Sequence, residues 1–90
     1  MTVVWTKPAR RDRIGIIKYI SERDPDAAAW FNTRVSEAIK MLVCFPQSGR
    51  PGRVQGTREL VIHTNYIIVY KLVDDAIAIV NILHASQQYP

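Results

Sequence analysis

A segment rich in glycine and proline constrains the fold of this chain more than any other stretch. Three of the four glycines and two of the five prolines lie between positions 46 and 56. Glycine populates backbone angles that other residues resist, and proline lacks an N–H donor, so neither a helix nor a strand ladder is expected to pass through this segment. The sequence therefore predicts a long, exposed loop here. It is also basic, since it contains Arg50 and Arg53 and ends at Arg58.

Two helices are predicted before the loop. The first is expected over residues 7–22, with Thr6 as its N-cap. Asp24 is a candidate N-cap for a second helix that starts at Pro25, and together the two helices form a hairpin. On the first helix the apolar side is predicted to consist of Ile14, Ile16, Ile17 and Ile20. On the second, the three- and four-residue steps predict a buried stripe of Ala28, Phe31, Val35, Ala38, Ile39 and Leu42.

Most of the remaining chain is typical of a sheet. A short strand is expected at residues 3–5, to pair with a later strand. Three more are predicted over residues 57–63, 66–73 and 76–83, joined by turns short enough to make them antiparallel neighbours. The fold class is therefore α+β, ordered β-α-α-β-β-β, with the helical hairpin on one face of a small, mainly antiparallel sheet. Any apolar face or strand edge left open calls for a covering partner.

Length and charge limit the functions that the chain can have. Ninety residues form one domain, here residues 1–90, with a net charge of +4. The charge is uneven, because residues 1–58 sum to +6 and residues 59–90 to −2. A basic surface on the helices and loop fits a nucleic acid, a ribosome or an acidic protein.

The residues that could bind a metal or cofactor are few. Cys44 is the single cysteine, so an internal disulfide is excluded, and its apolar neighbours predict that it is buried. His63 and His84 have no metal-binding spacing with other ligand residues, and we expect neither a metal nor a cofactor. No signal peptide or membrane span is visible, which predicts a cytoplasmic protein.

Several blocks of the sequence resemble one family. They are Phe45-Pro46, Ser48-Gly49-Arg50-Pro51, the block from Gly56 to Ile62, the block Asn65-Tyr66-Ile67-Ile68-Val69-Tyr70, and Ile82-Leu83-His84-Ala85. With the two helices before them, they resemble the RelE/ParE superfamily of toxins from bacterial type II toxin–antitoxin modules, the ParE branch more than the RelE branch. The resemblance covers nearly the whole chain, and its most specific part is Gly-Thr-Arg-Glu-Leu with the strand that follows.

The resemblance to the ParE branch implies a toxin that poisons DNA gyrase and is neutralised by an antitoxin that wraps around it. Such a toxin is a binding protein and not a catalyst. Its target-facing surface would be the basic loop and the helical hairpin, with Arg50, Arg53 and Arg58 as target-binding residues.

The RelE branch implies an alternative, a ribosome-dependent endoribonuclease that cuts mRNA. The 2′-hydroxyl of RNA is then the nucleophile, and the protein must supply proton-transfer groups and a cation. Arg58 would be the cation, His84 and Glu59 the proton-transfer candidates, and Tyr89 a base-stacking residue. The lysine-rich cluster of RelE-like nucleases is missing here. Structural roles for Arg58 and His84, and a chain that only binds an antitoxin, remain open alternatives.

Overall fold

Two helices pack on one face of a five-stranded sheet in the computed structural model, which describes residues 1–63 and 65–87. The elements are β1 (Thr2–Trp5), α1 (Lys7–Ser21), α2 (Pro25–Cys44), β2 (Arg50–Pro51), β3 (Arg58–His63), β4 (Tyr66–Val73) and β5 (Ala76–His84). The strand order across the sheet is β1-β5-β4-β3-β2. The predicted α+β class and the helical hairpin are confirmed.

Both predicted N-caps are present. The Thr6 hydroxyl accepts a hydrogen bond from the backbone N–H of Ala9 at 3.3 Å and also lies 2.9 Å from the carbonyl oxygen of Ile79, to which it donates. Asp24 Oδ1 accepts from the backbone N–H groups of Asp26 and Ala27, at 3.1 and 3.2 Å. These bonds satisfy N–H groups that have no partner within the first turn of a helix, and they set where each helix begins.

The buried faces of the helices are only partly as predicted. On α2 the buried residues are Ala28, Phe31, Val35, Ala38 and Leu42. On α1 the prediction for Ile14 is wrong, because its side chain is 68% exposed. At 100° per residue, Ile14 lies about 140° around the helix from buried Ala9, whereas Ile16 and Ile20 lie within about 20° of it.

Arg13 occupies part of the space between the two helices. Its guanidinium lies 5.0 Å from the centre of the Trp5 ring and donates to Asn32 Oδ1 at 2.7 Å and to Ser36 Oγ at 3.3 Å. Burial lowers the pKa of Arg13 below its ordinary value. A cation can face this interface because α2 supplies polar acceptors and β1 an aromatic ring.

The sheet is a meander with one parallel addition. β3, β4 and β5 pair antiparallel in sequence order, and β1 pairs in parallel with the outer edge of β5, as when Val3 lies opposite Ile77. Most of the buried apolar residues face the helices. On the opposite face a smaller cluster consists of Ile67, Val69 and Leu83, packed against Val80.

Two predictions about the middle of the chain are wrong. A two-residue strand, β2, forms inside the loop, with Arg50 opposite Glu59 and Pro51 opposite Arg58. An edge strand tolerates proline because N–H groups on its outer side need no partner.

Cys44 is exposed, not buried, since it is the last residue of α2 and lies about 200° around the helix from buried Leu42.

Candidate functional site

The loop that follows α2 is attached to the core at its start. The hydroxyl of Tyr70, a fully buried residue on β4, donates to the carbonyl oxygen of Pro46 at 2.8 Å and accepts from the N–H of Gly49 at 2.9 Å. A Cβ on Gly49 would lie 2.6 Å from that hydroxyl oxygen. Only glycine allows the backbone to approach this closely.

A buried carboxylate holds the next part of the loop. Glu59 is 3% exposed; its Oε1 accepts from Arg50 Nη2 at 3.1 Å, and its Oε2 accepts from the backbone N–H of Arg53 at 3.1 Å. Arg53 Nε also lies 3.4 Å from Oε2. Pairing with two guanidinium groups offsets the cost of removing this carboxylate from water. We call Glu59, Arg50 and Arg53 the Glu59 clamp.

Arg53 extends the clamp to the end of β5. Its Nη1 donates to the carbonyl oxygen of Gln87 at 2.6 Å and its Nη2 to that of Ala85 at 3.5 Å. Because β4 lies between β3 and β5, the Arg53 side chain spans β4 on the face opposite the helices, which is the face that carries buried Val69. The loop and the segment after β5 therefore form one surface, a connection that no local sequence signal indicates.

Arg58 points elsewhere. It begins β3 on the face that packs against the helices, and its Nη1 donates to the carbonyl oxygen of Gly49 at 2.8 Å and to that of Gln47 at 3.4 Å. Arg58 thus holds the start of the loop, while Arg50 and Arg53 meet at Glu59. The three predicted target-binding residues do not converge on one point. Arg50 has the most accessible side chain of the clamp, at 59% exposure.

His84 is held in the turn that ends β5. Its Nδ1 lies 2.7 Å from Ser86 Oγ and accepts from the backbone N–H of Ser86 at 3.2 Å, and the backbone N–H of His84 donates to Gln87 Oε1 at 2.6 Å. The ring packs edge-on against Tyr66, with 5.5 Å between ring centres. These contacts stabilise the strand end and leave Nε2 as the ring atom that could face a ligand.

The structure separates Arg58 from His84. Arg58 pairs with Tyr70 and His84 with Tyr66, on opposite sides of β4. Arg58 and His84 are therefore offset by four residues along the strands, roughly 13 Å, and by two strand spacings across the sheet, roughly 10 Å. Their Cα atoms lie about 16 Å apart. The third candidate of the nuclease alternative, Tyr89, lies outside the described residues. Glu59, a further candidate, is paired with Arg50 and Arg53 in the Glu59 clamp.

The outward side of α1 is basic, as the charge distribution predicted. Its exposed cations are Lys7, Arg10, Arg11 and Lys18. Its one carboxylate, Asp12, is turned to the sheet and accepts from the backbone N–H of Ile82 at 3.0 Å and from Asn81 Nδ2 at 3.1 Å. The exposed side of this helix therefore carries a net positive charge. Within residues 1–63 and 65–87, no helix combines the length and apolarity that crossing a membrane requires.

Comparisons with known proteins agree with one another. The family model described as the ParE toxin of the type II toxin–antitoxin system parDE matches residues 3–89. The protein Y4kP of Sinorhizobium fredii is 45% identical over 96% of this chain and 90% of its own length, and the toxin RelE2 of Caulobacter vibrioides is 36% identical over 94% and 96%.

Solved structures show the same likeness. A chain of the chromosomal ParDE toxin–antitoxin system from P. aeruginosa superposes with a TM-score of 0.81 and 25% identity, covering 93% of this chain and 95% of that one. A chain of the toxin–antitoxin complex RelBE2 from Mycobacterium tuberculosis gives a TM-score of 0.62 and 26% identity, covering 92% and 95%. With a family model that spans nearly the whole sequence, this chain belongs to the ParE toxins of type II toxin–antitoxin systems.

Proposed function

We propose that this toxin acts as a ParE-type inhibitor of DNA gyrase, that it blocks replication, and that a cognate antitoxin neutralises it in the cytoplasm. The observation that carries the proposal is the separation of Arg58 from His84 by about 16 Å, derived from their positions in the sheet. A cation and a proton-transfer group that act on one phosphate must both reach the reacting atoms. This arrangement favours a binding protein over a catalyst.

The loop suits recognition of a large partner. It is fixed at its start by Tyr70 and Arg58 and in its middle by Glu59, so little conformational freedom remains to be lost when a partner binds. Arg50 presents most of its side chain to solvent. Together with the cations of α1 it provides charge that can attract an acidic surface of the target.

The proposal is tested by adding the purified protein to a gyrase supercoiling assay and, in parallel, to a translation extract. We expect inhibition of supercoiling while translation continues. Arg50→Ala should weaken the inhibition at least tenfold, because Arg50 is the most exposed cation of the clamp. Lys71→Ala is the matched control, since it removes an exposed cation from β4 and should leave inhibition within twofold. If both variants inhibit supercoiling as strongly as the unmodified protein, the assigned surface is wrong.

A second candidate is a RelE-type endoribonuclease that cuts mRNA on the ribosome. The observation that favours it is the position of Arg53, whose guanidinium donates to the carbonyl oxygens of Ala85 and Gln87, on the segment that follows His84. Arg53, and not Arg58, would then be the cation that reaches the segment next to His84. If only the translation extract responds, and His84→Ala abolishes the response, this candidate replaces the first.

In cells the two candidate functions differ in which process, DNA replication or protein synthesis, stops first. Gyrase inhibition should induce the DNA-damage response while protein synthesis continues. Cleavage of mRNA should stop protein synthesis while the DNA stays intact. Pulse-labelling of protein and DNA after induction of the toxin distinguishes them.

A further inference from the structure

The outward side of α1 carries a row of cations along most of its length. Counted from Lys7 at 100° per residue, Arg11 lies about 40° around the helix, Lys18 about 20°, and Arg10 about 60° in the other direction. All four side chains are exposed. From Lys7 to Lys18 the helix advances eleven residues, about 16 Å. We call these four residues the α1 stripe.

The charge of the α1 stripe is not neutralised by neighbouring acids. Asp12, the one acid within α1, is turned to the sheet, and Glu22 lies one turn beyond Lys18. Within the described part of the chain, no cation of the stripe forms an ion pair. Like charges four residues apart, such as Lys7 and Arg11, destabilise a helix. A polyanionic partner would relieve this repulsion.

The make-up of the stripe differs from the centre of a protein–protein interface. Such centres are apolar and depleted of lysine. One apolar residue lies within the arc of the stripe, Ile14, and its side chain is 68% exposed among the cations. Duplex DNA carries one negative charge per ~1.7 Å of its axis, which is about nine charges over the length of the stripe. Charge complementarity therefore favours a nucleic acid as the partner.

A single strand is a poorer match than a duplex, because proteins that bind single strands stack the bases on aromatic rings. Trp5 lines a cleft beside Arg10, and Tyr19 lies on α1. The Arg13 guanidinium lies 5.0 Å from the centre of the Trp5 ring, and that of Arg23 lies 3.8 Å from the centre of the Tyr19 ring. One face of each ring is therefore already occupied. A duplex keeps its bases stacked inside and requires no aromatic ring.

We propose that the α1 stripe binds the phosphate backbone of duplex DNA, independently of base sequence. Its four cations donate to phosphate oxygens, and α1, about 22 Å long, lies along roughly six base pairs. The choice of DNA over an RNA duplex rests on the proposed function, because gyrase acts on DNA. On gyrase, the stripe would contact the DNA that the enzyme holds, in addition to the contacts that the loop makes with the protein.

The binding is measured without gyrase, by fluorescence anisotropy of a labelled DNA duplex of about twenty base pairs, roughly three times the length of α1. For four phosphate contacts, the logarithm of the binding constant should fall with the logarithm of salt concentration at a slope of about −3.6. Lys18→Ala should weaken binding several-fold and make the slope shallower by about one.

Lys71→Ala is the matched control for Lys18→Ala. It removes an exposed lysine from the face of β4 opposite the helices and should leave the affinity and the slope unchanged. Thermal unfolding checks that both variants are folded. If the unmodified toxin shows no saturable binding at low salt, or if the two variants have equal slopes, the proposal is wrong.

A gain in affinity tests the surface in a way that a folding defect cannot imitate. Ile14→Lys places a fifth cation among the four at an exposed position, so it should tighten duplex binding several-fold and steepen the slope by about one. Val73→Lys adds the same charge at a 49% exposed position of β4, opposite the helices, and should have a clearly smaller effect. Unchanged or weaker binding by Ile14→Lys would overturn the proposal.

The remaining outcomes identify a different partner or a different target. Tighter binding of an RNA duplex of the same length, or of a single DNA strand, would overturn the proposal. So would a Lys18→Ala variant that binds DNA-free gyrase more weakly but binds the duplex normally, because the stripe would then contact protein. If the unmodified toxin binds the duplex as expected but does not inhibit supercoiling, the proposed target is wrong and the role of the stripe is supported. Inhibition of supercoiling without any duplex binding would support the proposed function and contradict this inference.

Discussion

Single residues decide how closely the loop can approach the sheet. Gly49 lies against the buried hydroxyl of Tyr70, and a Cβ at that position would also lie 2.9 Å from the carbonyl oxygen of Glu59. Gly56 is required for a different reason, since its φ of +86° is a backbone conformation that side chains disfavour. Gly49 is therefore required for close packing and Gly56 for its backbone conformation.

Gly49→Ala should destabilise the fold by about 2 kcal/mol or more, because the new methyl group must displace Tyr70 or the β3 backbone. Gly15→Ala is the contrasting variant. Gly15 lies within α1 with nothing near its Cβ position, so alanine should stabilise the helix by about 0.5–1 kcal/mol. Urea unfolding followed by circular dichroism measures both. Equal effects in the two variants would contradict the close approach at Gly49.

At the scale of elements, the loop behaves as a fixed part of the sheet because Glu59 joins it to β3. Arg50 and Arg53 bond the two oxygens of one carboxylate, and Arg53 then reaches the end of β5. Periodicity indicates where a strand or helix forms, but not which side chains of a loop fold back onto it. The sequence alone therefore indicated that the loop is basic, and tertiary contacts orient its arginines.

Glu59→Gln should release the clamp. It removes the charge that both arginines share, and we expect a loss of about 2 kcal/mol in the free energy of unfolding, since one of those arginines is largely exposed. Trypsin cleavage after Arg53 should become several-fold faster in the folded protein. Glu22→Gln, at an exposed carboxylate, is the control and should change neither quantity.

Capping sets the start of α2. Asp24→Ala removes the acceptor for two N–H groups of the first turn and should cost about 1 kcal/mol. Thermal unfolding measures the change, and the melting temperature should fall by several degrees for a domain of this size. Asp24→Asn retains an acceptor and should recover most of the stability. No recovery would indicate that charge, not the cap, is what matters at this position.

At the scale of the whole molecule, β1 joins the two ends of the chain. It pairs in parallel with β5, more than seventy residues away, and places Val3 and Trp5 against the core. Between these two strands the chain crosses the sheet through the helical hairpin and returns through β3 and β4. The strand that the sequence predicted at residues 3–5 thus closes the sheet on the side away from the loop.

Deleting residues 2–5 should disrupt cooperative folding. The deletion uncovers the outer edge of β5 and removes Val3 and Trp5 from the core, a loss of about 4 kcal/mol from a total that is 5–15 kcal/mol for typical domains. We expect a broad thermal transition and binding of a hydrophobic dye. Val4→Thr, at an exposed position of the same strand, should change stability by no more than about 0.5 kcal/mol.

The sequence by itself determined the helices, their caps, three long strands and the excess of positive charge before position 59. Those features follow from local patterns, since Asp24 caps its own helix and the stripe of α2 repeats at helical spacing. Only the tertiary structure decided that β1 lies beside β5, that Glu59 holds Arg50 and Arg53, and that the Cα atoms of Arg58 and His84 lie about 16 Å apart. The reason is that the first and third features depend on strand register between residues far apart in the chain, and the second on how the loop folds back onto β3, and none of them leaves a local signal in the sequence.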